Sequence, residues 1–259
     1  MESQLTLTAL QTNLFWEDKQ KNLDQLSNQL AQLPQTDLII LPEMFTTGFT
    51  MRAKEFAEAM EGSTVQWMRG HAKKNNAAIA GSTIIKEGEK RYNRFLFVLP
   101  NGDIHYYDKR HTFTLAGEHK AYATGQNDGL LHYKGWKICL RVCYDLRFPV
   151  WARNTSDYDV LIYTANWPHK RIDAWDTLLK ARAIENMSYC VGVNRIGTDG
   201  SDLYYPGHTA IFDYMGEKVG ETKQEQQDYT SVQLNREKML LARKKLNFLN
   251  DRDRFIIQS

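Results

Sequence analysis

Cysteine is scarce in this chain: there are three in 259 residues, Cys139, Cys143 and Cys190. That count argues against a disulfide scaffold and fits a reducing compartment. Cys139 and Cys143 fall on one apparent strand, where a rise of about 3.3 Å per residue separates them by roughly 13 Å, too far to bridge. An excess of one charge is also lacking, since 33 Lys and Arg face 31 Asp and Glu for a net charge of +2. The chain therefore has no general electrostatic reason to bind nucleic acid or an acidic membrane. The basic cluster Arg243, Lys244 and Lys245 reads better as a solvated helix end than as a binding patch. No apolar run approaches the roughly 20 residues needed to span a bilayer. The opening MESQLTLTAL has no basic segment ahead of an apolar one, so no signal peptide is expected. The expectation is a cytoplasmic protein.

Several motifs are missing too. Without G-x-S-x-G, a serine-hydrolase reading has no anchor. Without G-x-x-x-x-G-K-[ST] or G-x-G-x-x-G, the routine phosphate cradles are gone. The histidines and cysteines show neither C-x-x-C nor H-x-x-x-H spacing, which leaves a zinc site little support.

What is present is an ordinary globular composition, 42% hydrophobic, long enough to bury a sizeable core. LTLTALQ (5–11) alternates as a strand, and DKQKNLDQLSNQLAQL (18–33) carries Leu23, Leu26, Leu30 and Leu33 on one helical face, closed by Pro34. DLIIL (37–41) is a short, fully buried kind of strand. STVQWMRGHAKKN (63–75) predicts a helix with Ser63 as its cap, leading into strand AAIAGSTII (77–85). RYNRFLFVLP and DIHYYDK predict a hairpin with a tight primed turn at Asn101-Gly102, and LLHYKGWKICLRVC a second one at Lys134-Gly135. YDVLIYTAN (158–166), a long amphipathic helix over 172–187, and strands YCVGVN, HTAIFD and TSVQL follow. A last helix spans 235–246 with Asn235 as its cap. No repeat or linker interrupts the series, so one domain over 1–259 is expected, with the tail from about 247 packed on the domain or on a partner subunit. Alternating helices and strands with central hairpins suit a mixed sheet system covered by helices, with two sheets packed face to face as the expected arrangement, which pattern alone does not establish.

Reactive side chains stand where these strands end: Glu43 follows DLIIL, Lys109 closes DIHYYDK and Cys143 closes KICLRVC. Ligands in sheet proteins commonly bind beyond strand ends. A carboxylate, an amine and a thiol gathered there suit acyl transfer, as base, oxyanion stabiliser and nucleophile. Each also has a plainer reading: Glu43 as a loop acid, Lys109 as a solvated lysine, Cys143 as a small core residue. Composition and spacing do not choose between these.

PEMFTTGF, YYDKRHTF and RVCYDLRFP, in this order, resemble the three signature segments of the nitrilase superfamily of carbon–nitrogen hydrolases. AGEHKAY supplies Glu118, matching the second glutamate of that family's sites. The resemblance runs from LTLTALQ through ANWP to the final helix. DKRHTFTLAGEH and CYDLRFPVWARN are similar to the omega-amidase branch, which acts on 2-oxoglutaramate-like acids. Many relatives carry an acid where this chain has Val150, outside the reactive set. The resemblance implies an α/β fold, a four-layer α-β-β-α sandwich, and a cofactor-free, metal-free Cys-Glu-Lys amidase. Cys143 would be the nucleophile, Glu43 the general base, and Lys109 with the Tyr144 backbone N–H the oxyanion stabilisers. Glu118 would orient Lys109 or the substrate nitrogen, or serve only as a counter-ion.

A 2-oxo acid amide also brings a carboxylate. Arg147 is the candidate partner for it, the alternative being a structural ion pair with Asp145 or another acid; Trp167 is either a pocket wall or a core residue. The expected partners are a small amide substrate and further copies of the chain, as a homodimer or higher homo-oligomer. Two other readings remain: another small-amide, nitrile or N-carbamoyl hydrolase, or a catalytically silent scaffold member. Nitrilases proper place Trp-Glu after the cysteine, where Tyr144-Asp145 stands here.

Overall fold

The computed structural model describes residues 3–257. In chain order the strands are Gln4–Gln11 (β1), Leu38–Ile40 (β2), Ala78–Glu87 (β3), Lys90–Val98 (β4), Ile104–Asp108 (β5), Leu130–Tyr133 (β6) and Trp136–Val142 (β7). Then come Val160–Ala165 (β8), Tyr189–Asn194 (β9), Ile196–Thr198 (β10), Tyr204–Pro206 (β11), Ala210–Phe212 (β12), Lys218–Glu221 (β13) and Asp228–Asn235 (β14). The helices are Lys19–Leu30 (α1), Ala53–Phe56 (α2), Ser63–Asn75 (α3), Glu118–Ala121 (α4), Pro149–Ala152 (α5), Ile172–Asn186 (α6) and Arg236–Leu246 (α7).

Two six-stranded mixed sheets result, ordered β14-β1-β2-β3-β4-β5 and β13-β12-β9-β8-β7-β6, with β10 and β11 paired apart from both. Side chains alternate across a strand, and the alternation builds the layers. Leu38 and Ile40 of β2 face the core between the sheets, with Phe95 and Phe97 opposite Ile138, Leu140 and Ile162. Ile39 and Leu41 face the other way, onto Leu23, Leu26 and Leu30 of α1 and Val65 and Met68 of α3. On the far side, α6 lays Trp175, Leu179 and Ala183 over Cys139, Leu161 and Cys190. Helix, sheet, sheet, helix: the expected four layers are present.

Local chemistry shows why the ends fall where they do. Asp18 caps α1 by accepting the Lys21 N–H at 3.1 Å, and Asn235 caps α7 by accepting from Lys238 at 2.9 Å. Helix α1 ends at Leu30, before Leu33 and Pro34, its last carbonyls being taken up in a tighter turn. Ser63 is not the cap of α3. The Glu58 carboxylate takes that place, accepting the Thr64 N–H at 3.0 Å, while Ser63 Oγ donates to the same group. Lys134 and Gly135 both have positive φ, 48° and 79°, as a primed two-residue turn requires. Asn101-Gly102 does not form such a turn. Only Gly102 has positive φ, at 91°, and Leu99 N–H donates to Asp103 C=O across a longer loop.

At the end of α7, Lys244 and Lys245 are solvated as expected, but Arg243 is not. It donates to the Met187 and Tyr158 carbonyls and faces Asp159. The tail packs back on the domain through Leu249 and through Arg252, which donates to Asn154 C=O and pairs with Asp157. No helix among the described residues is long and apolar enough to cross a membrane.

Candidate active site

Three strands of this framework end at one place. Past β2, Met44 adopts φ 45° and its N–H donates to Ser82 Oγ, which turns the chain so that Glu43 points inward, fully buried. Past β5, Lys109 is pinned on both sides of its backbone: its N–H donates to Asn93 C=O, and its C=O accepts from Gly125. A Cβ on Gly125 would lie 1.9 Å from the Asp108 carbonyl oxygen, so only glycine fits there. Past β7, Cys143 has φ 43° and opens a tight turn, Cys143–Arg147. Positive φ is strained for a residue with a Cβ, and here it lifts the thiol off the sheet into a cavity.

Lys109 Nζ lies 3.0 Å from Glu43 and 3.0 Å from Glu118. Asn93 Nδ2 donates to Glu43 Oε1 at 2.7 Å, and the Asn166 N–H donates to Glu43 Oε2 at 2.8 Å. Asn166 Nδ2 also holds the Glu43 carbonyl at 2.7 Å. Glu118, the first residue of α4, accepts from the Phe113 N–H as well as from Lys109. Burial works against the Lys109 ammonium, but Glu118 and Glu43 outweigh it and hold its pKa above the ordinary value. Burial, then Glu43, pushes the Glu118 carboxyl up, with Lys109 opposing. Burial and the Glu43 charge likewise push the Cys143 thiol well up, against the pull of Lys109. Both influences favour the thiol over the thiolate, so Cys143 needs a base to become a nucleophile.

The cavity above is about 610 Å³. Cys143, Lys109 and Asn166 line it, together with aromatic walls from Phe49, Phe113 and Tyr144. Trp167 is both pocket wall and core residue, lining the cavity while 3% exposed. Arg147 is exposed and stacks 5.0 Å over the Trp167 ring. The ion pair with Asp145 is not formed. Asp145 instead accepts from His111, from Tyr107 Oη and from the Val142 N–H. The Tyr144 N–H stands in the first turn after Cys143, where helical amides have no partner within the turn. Among the described residues no group of three or more His, Cys, Asp and Glu is placed to hold a metal ion.

The structure thus brings together Glu43, Lys109, Glu118 and Cys143, with Tyr144, Arg147 and Trp167 on the walls. Sequence reasoning missed Asn93, Asn166 and Arg171. Asn93 carried no clear signal, since it stands between Tyr92 and Arg94 in the polar first half of its strand.

A half-buried thiol beside a buried carboxylate and ammonium, at the strand ends of a two-sheet sandwich, defines a cysteine hydrolase of the carbon–nitrogen bond. The chain belongs to the carbon–nitrogen hydrolase family, whose model matches residues 6–244. It is 43% identical to "Omega-amidase YafV" of Yersinia enterocolitica, over 98% of this chain and 99% of that one. It is 32% identical to "2-oxoglutaramate amidase" of Bacillus subtilis, over 85% and 87%. Among solved structures, XC1258 of Xanthomonas campestris, described as a CN-hydrolase superfamily protein, superposes with a TM-score of 0.96 at 39% identity, covering 98% of this chain and 99% of that one.

Proposed function

We propose that the chain is an omega-amidase, one carbon–nitrogen hydrolase domain that converts a small 2-oxo acid amide such as 2-oxoglutaramate or 2-oxosuccinamate to the dicarboxylate and ammonia. The observation that carries this reading is the Arg147 guanidinium. It faces the same cavity as Cys143 and has no carboxylate partner among the described residues. A planar, permanently charged fork of this kind suits a carboxylate. The full-length similarity to relatives named omega-amidase and 2-oxoglutaramate amidase supports the same substrate class.

In the proposed reaction Glu43 takes the thiol proton and the Cys143 sulfur attacks the amide carbonyl carbon. Charge developing on the carbonyl oxygen is met by the Lys109 ammonium and the Tyr144 N–H, donors already in place before reaction. Glu43 passes its proton to the amide nitrogen, the C–N bond breaks, and ammonia leaves a thioester on Cys143. Water, deprotonated by Glu43, attacks the thioester, and the sulfur leaves and regains a proton. Glu118 holds Lys109 in position as its second anion. The complete charge set separates this reading from that of a silent scaffold, since a scaffold has no need of a buried lysine between two carboxylates. Exposed Phe248, Phe255 and Ile256 near the C-terminus support a homodimer or higher homo-oligomer, and the cytoplasm is the compartment we infer.

Ammonia release across oxo-acid amides, amino-acid amides, neutral amides, N-carbamoyl compounds and a nitrile tests the assignment. The highest kcat/KM is expected for an oxo-acid amide. A neutral amide or N-carbamoyl compound in first place would leave only the family chemistry standing.

A further inference from the structure

The cavity holds a second guanidinium without a carboxylate partner among the described residues. Arg171 lines the same cavity, half-buried, stacked 5.2 Å over the Phe113 ring. It and Arg147 are joined through one side chain: Trp167 carries the Arg147 guanidinium on its face and donates its Nε1–H to the Arg171 carbonyl at 2.7 Å. The other charged side chains of the wall already have partners among the described residues. Arg52 is held by Glu17 and Glu55. Asp199 accepts from Tyr205 Oη at 2.7 Å and from the Ser201 and Leu203 N–H groups. Two cations therefore face the ligand, where one carboxylate would need only one.

We propose that Arg171 is the residue that selects a 2-oxo acid over the matching 2-amino acid, a role that rests on the omega-amidase reading above. The two substrates differ at one carbon. An oxo acid presents only acceptors there, the ketone oxygen beside two carboxylate oxygens, and two donor forks satisfy all three. An amino acid presents an ammonium at that carbon. With Arg147 on the carboxylate, that ammonium faces a second fixed cation, while the carboxylates of the wall among the described residues are already engaged, Glu17 by Arg52 and Asp199 by three hydrogen-bond donors. Arg171 acts on it as an element of repulsion, which separates near-identical substrates more sharply than an added contact does. Its partial burial strengthens the effect, because charges at the edge of a low-dielectric wall are screened less than charges in water.

The test compares 2-oxoglutaramate, glutamine and glutaramate, the last carrying the carboxylate with neither oxo nor ammonium group. Steady-state ammonia release is measured for wild type, Arg171→Gln, Arg171→Lys and Arg147→Gln. Arg171→Gln is expected to lower the 2-oxoglutaramate-to-glutamine ratio of kcat/KM at least about tenfold, since like charges a few ångströms apart at an effective dielectric near 20 repel by more than a tenfold preference requires. Part of that change must be a rise in glutamine turnover relative to glutaramate. Arg171→Lys keeps the charge, so glutamine should stay excluded. Arg147→Gln should raise KM for all three substrates together. An unchanged ratio in Arg171→Gln overturns the proposal while wild-type preference for the oxo acid leaves the omega-amidase reading intact. A wild type that does not prefer 2-oxoglutaramate to glutamine overturns both. Thermal melts identify a variant that has not folded, and Arg171→Lys then carries the comparison: glutamine turnover rising in it would also sink the proposal.

Discussion

At the scale of single residues, the site turns on how Glu43 is held. Its two carboxylate oxygens accept from Lys109, Asn93 and Asn166, so a glutamine can keep the Lys109 and Asn93 contacts through its amide oxygen but loses the Asn166 hydrogen bond and the base. Glu43→Gln is therefore expected to fold with a melting temperature near wild type while kcat falls by at least about 10²–10⁴-fold, the usual worth of a positioned base. Cys143→Ala sets the floor of the same assay, and Cys139→Ala and Cys190→Ala should retain most activity, because both sulfurs lie in the core. Near-normal kcat in Glu43→Gln would return Glu43 to a structural role. Glu43, Lys109, Glu118 and Cys143 were legible because each sits in a short contiguous motif. Asn166 was not. It reaches Glu43 across 123 positions of chain, and nothing in ANWP shows which carbonyl or carboxylate its amide will meet. Arg171 was hidden for a similar reason, since nothing in the run HKR shows that Phe113 and Trp167 will be placed beside it.

At the scale of elements, periodicity located the long helices and the central strands, where one face is fully apolar. It failed where local chemistry competes. Strands β10 and β11, of three residues each, are too short to show a period, and the cap of α3 comes from Glu58, outside the capping position the pattern points to. One packing detail of the helix layer gives a test. Helix α6 approaches β9 so closely that a Cβ on Gly192 would lie 2.3 Å from Leu179 Cδ1 and 2.8 Å from Trp175 Cζ2. Gly192→Ala should overpack this contact and cost about 1–3 kcal/mol. Leu179→Ala should cost about 2–5 kcal/mol by leaving a cavity. The double variant should lose less than the sum of the two, because each change fills or vacates the space of the other. Urea unfolding midpoints of the four proteins decide it, and strict additivity would mean that the sheet and helix do not meet at Gly192.

At the scale of the whole molecule, the strand pattern suited two sheets packed face to face but did not establish them, because nothing in a strand's own pattern says which face another sheet will cover. One carboxylate next to the nucleophile joins them. Asp145, fully buried in the turn after β7, accepts from the Val142 N–H of that strand at 2.9 Å. It also accepts from Tyr107 Oη of β5 in the other sheet at 2.8 Å, and from the His111 backbone N–H at 3.1 Å just beyond. Burial works against its charge, but His111, the Val142 amide and Arg141 outweigh that and hold the carboxyl below its ordinary pKa of 3.8. The sign follows from proton counting. Between the lowered folded value and 3.8 the unfolded chain binds more protons at this position than the folded one, so stability rises with pH there. The contribution is complete above 3.8 and is lost as pH falls through the folded value. Asp145→Asn keeps the shape and removes the titration. It should lower the melting temperature at neutral pH, since Tyr107 and His111 lose a charged acceptor. It should also flatten the fall in melting temperature below pH 4 relative to wild type. Melting curves from pH 2.5 to 7 check both parts: parallel acid limbs in the two proteins would show that Asp145 carries no part of the acid sensitivity, and that the sheets are held at this point by packing alone.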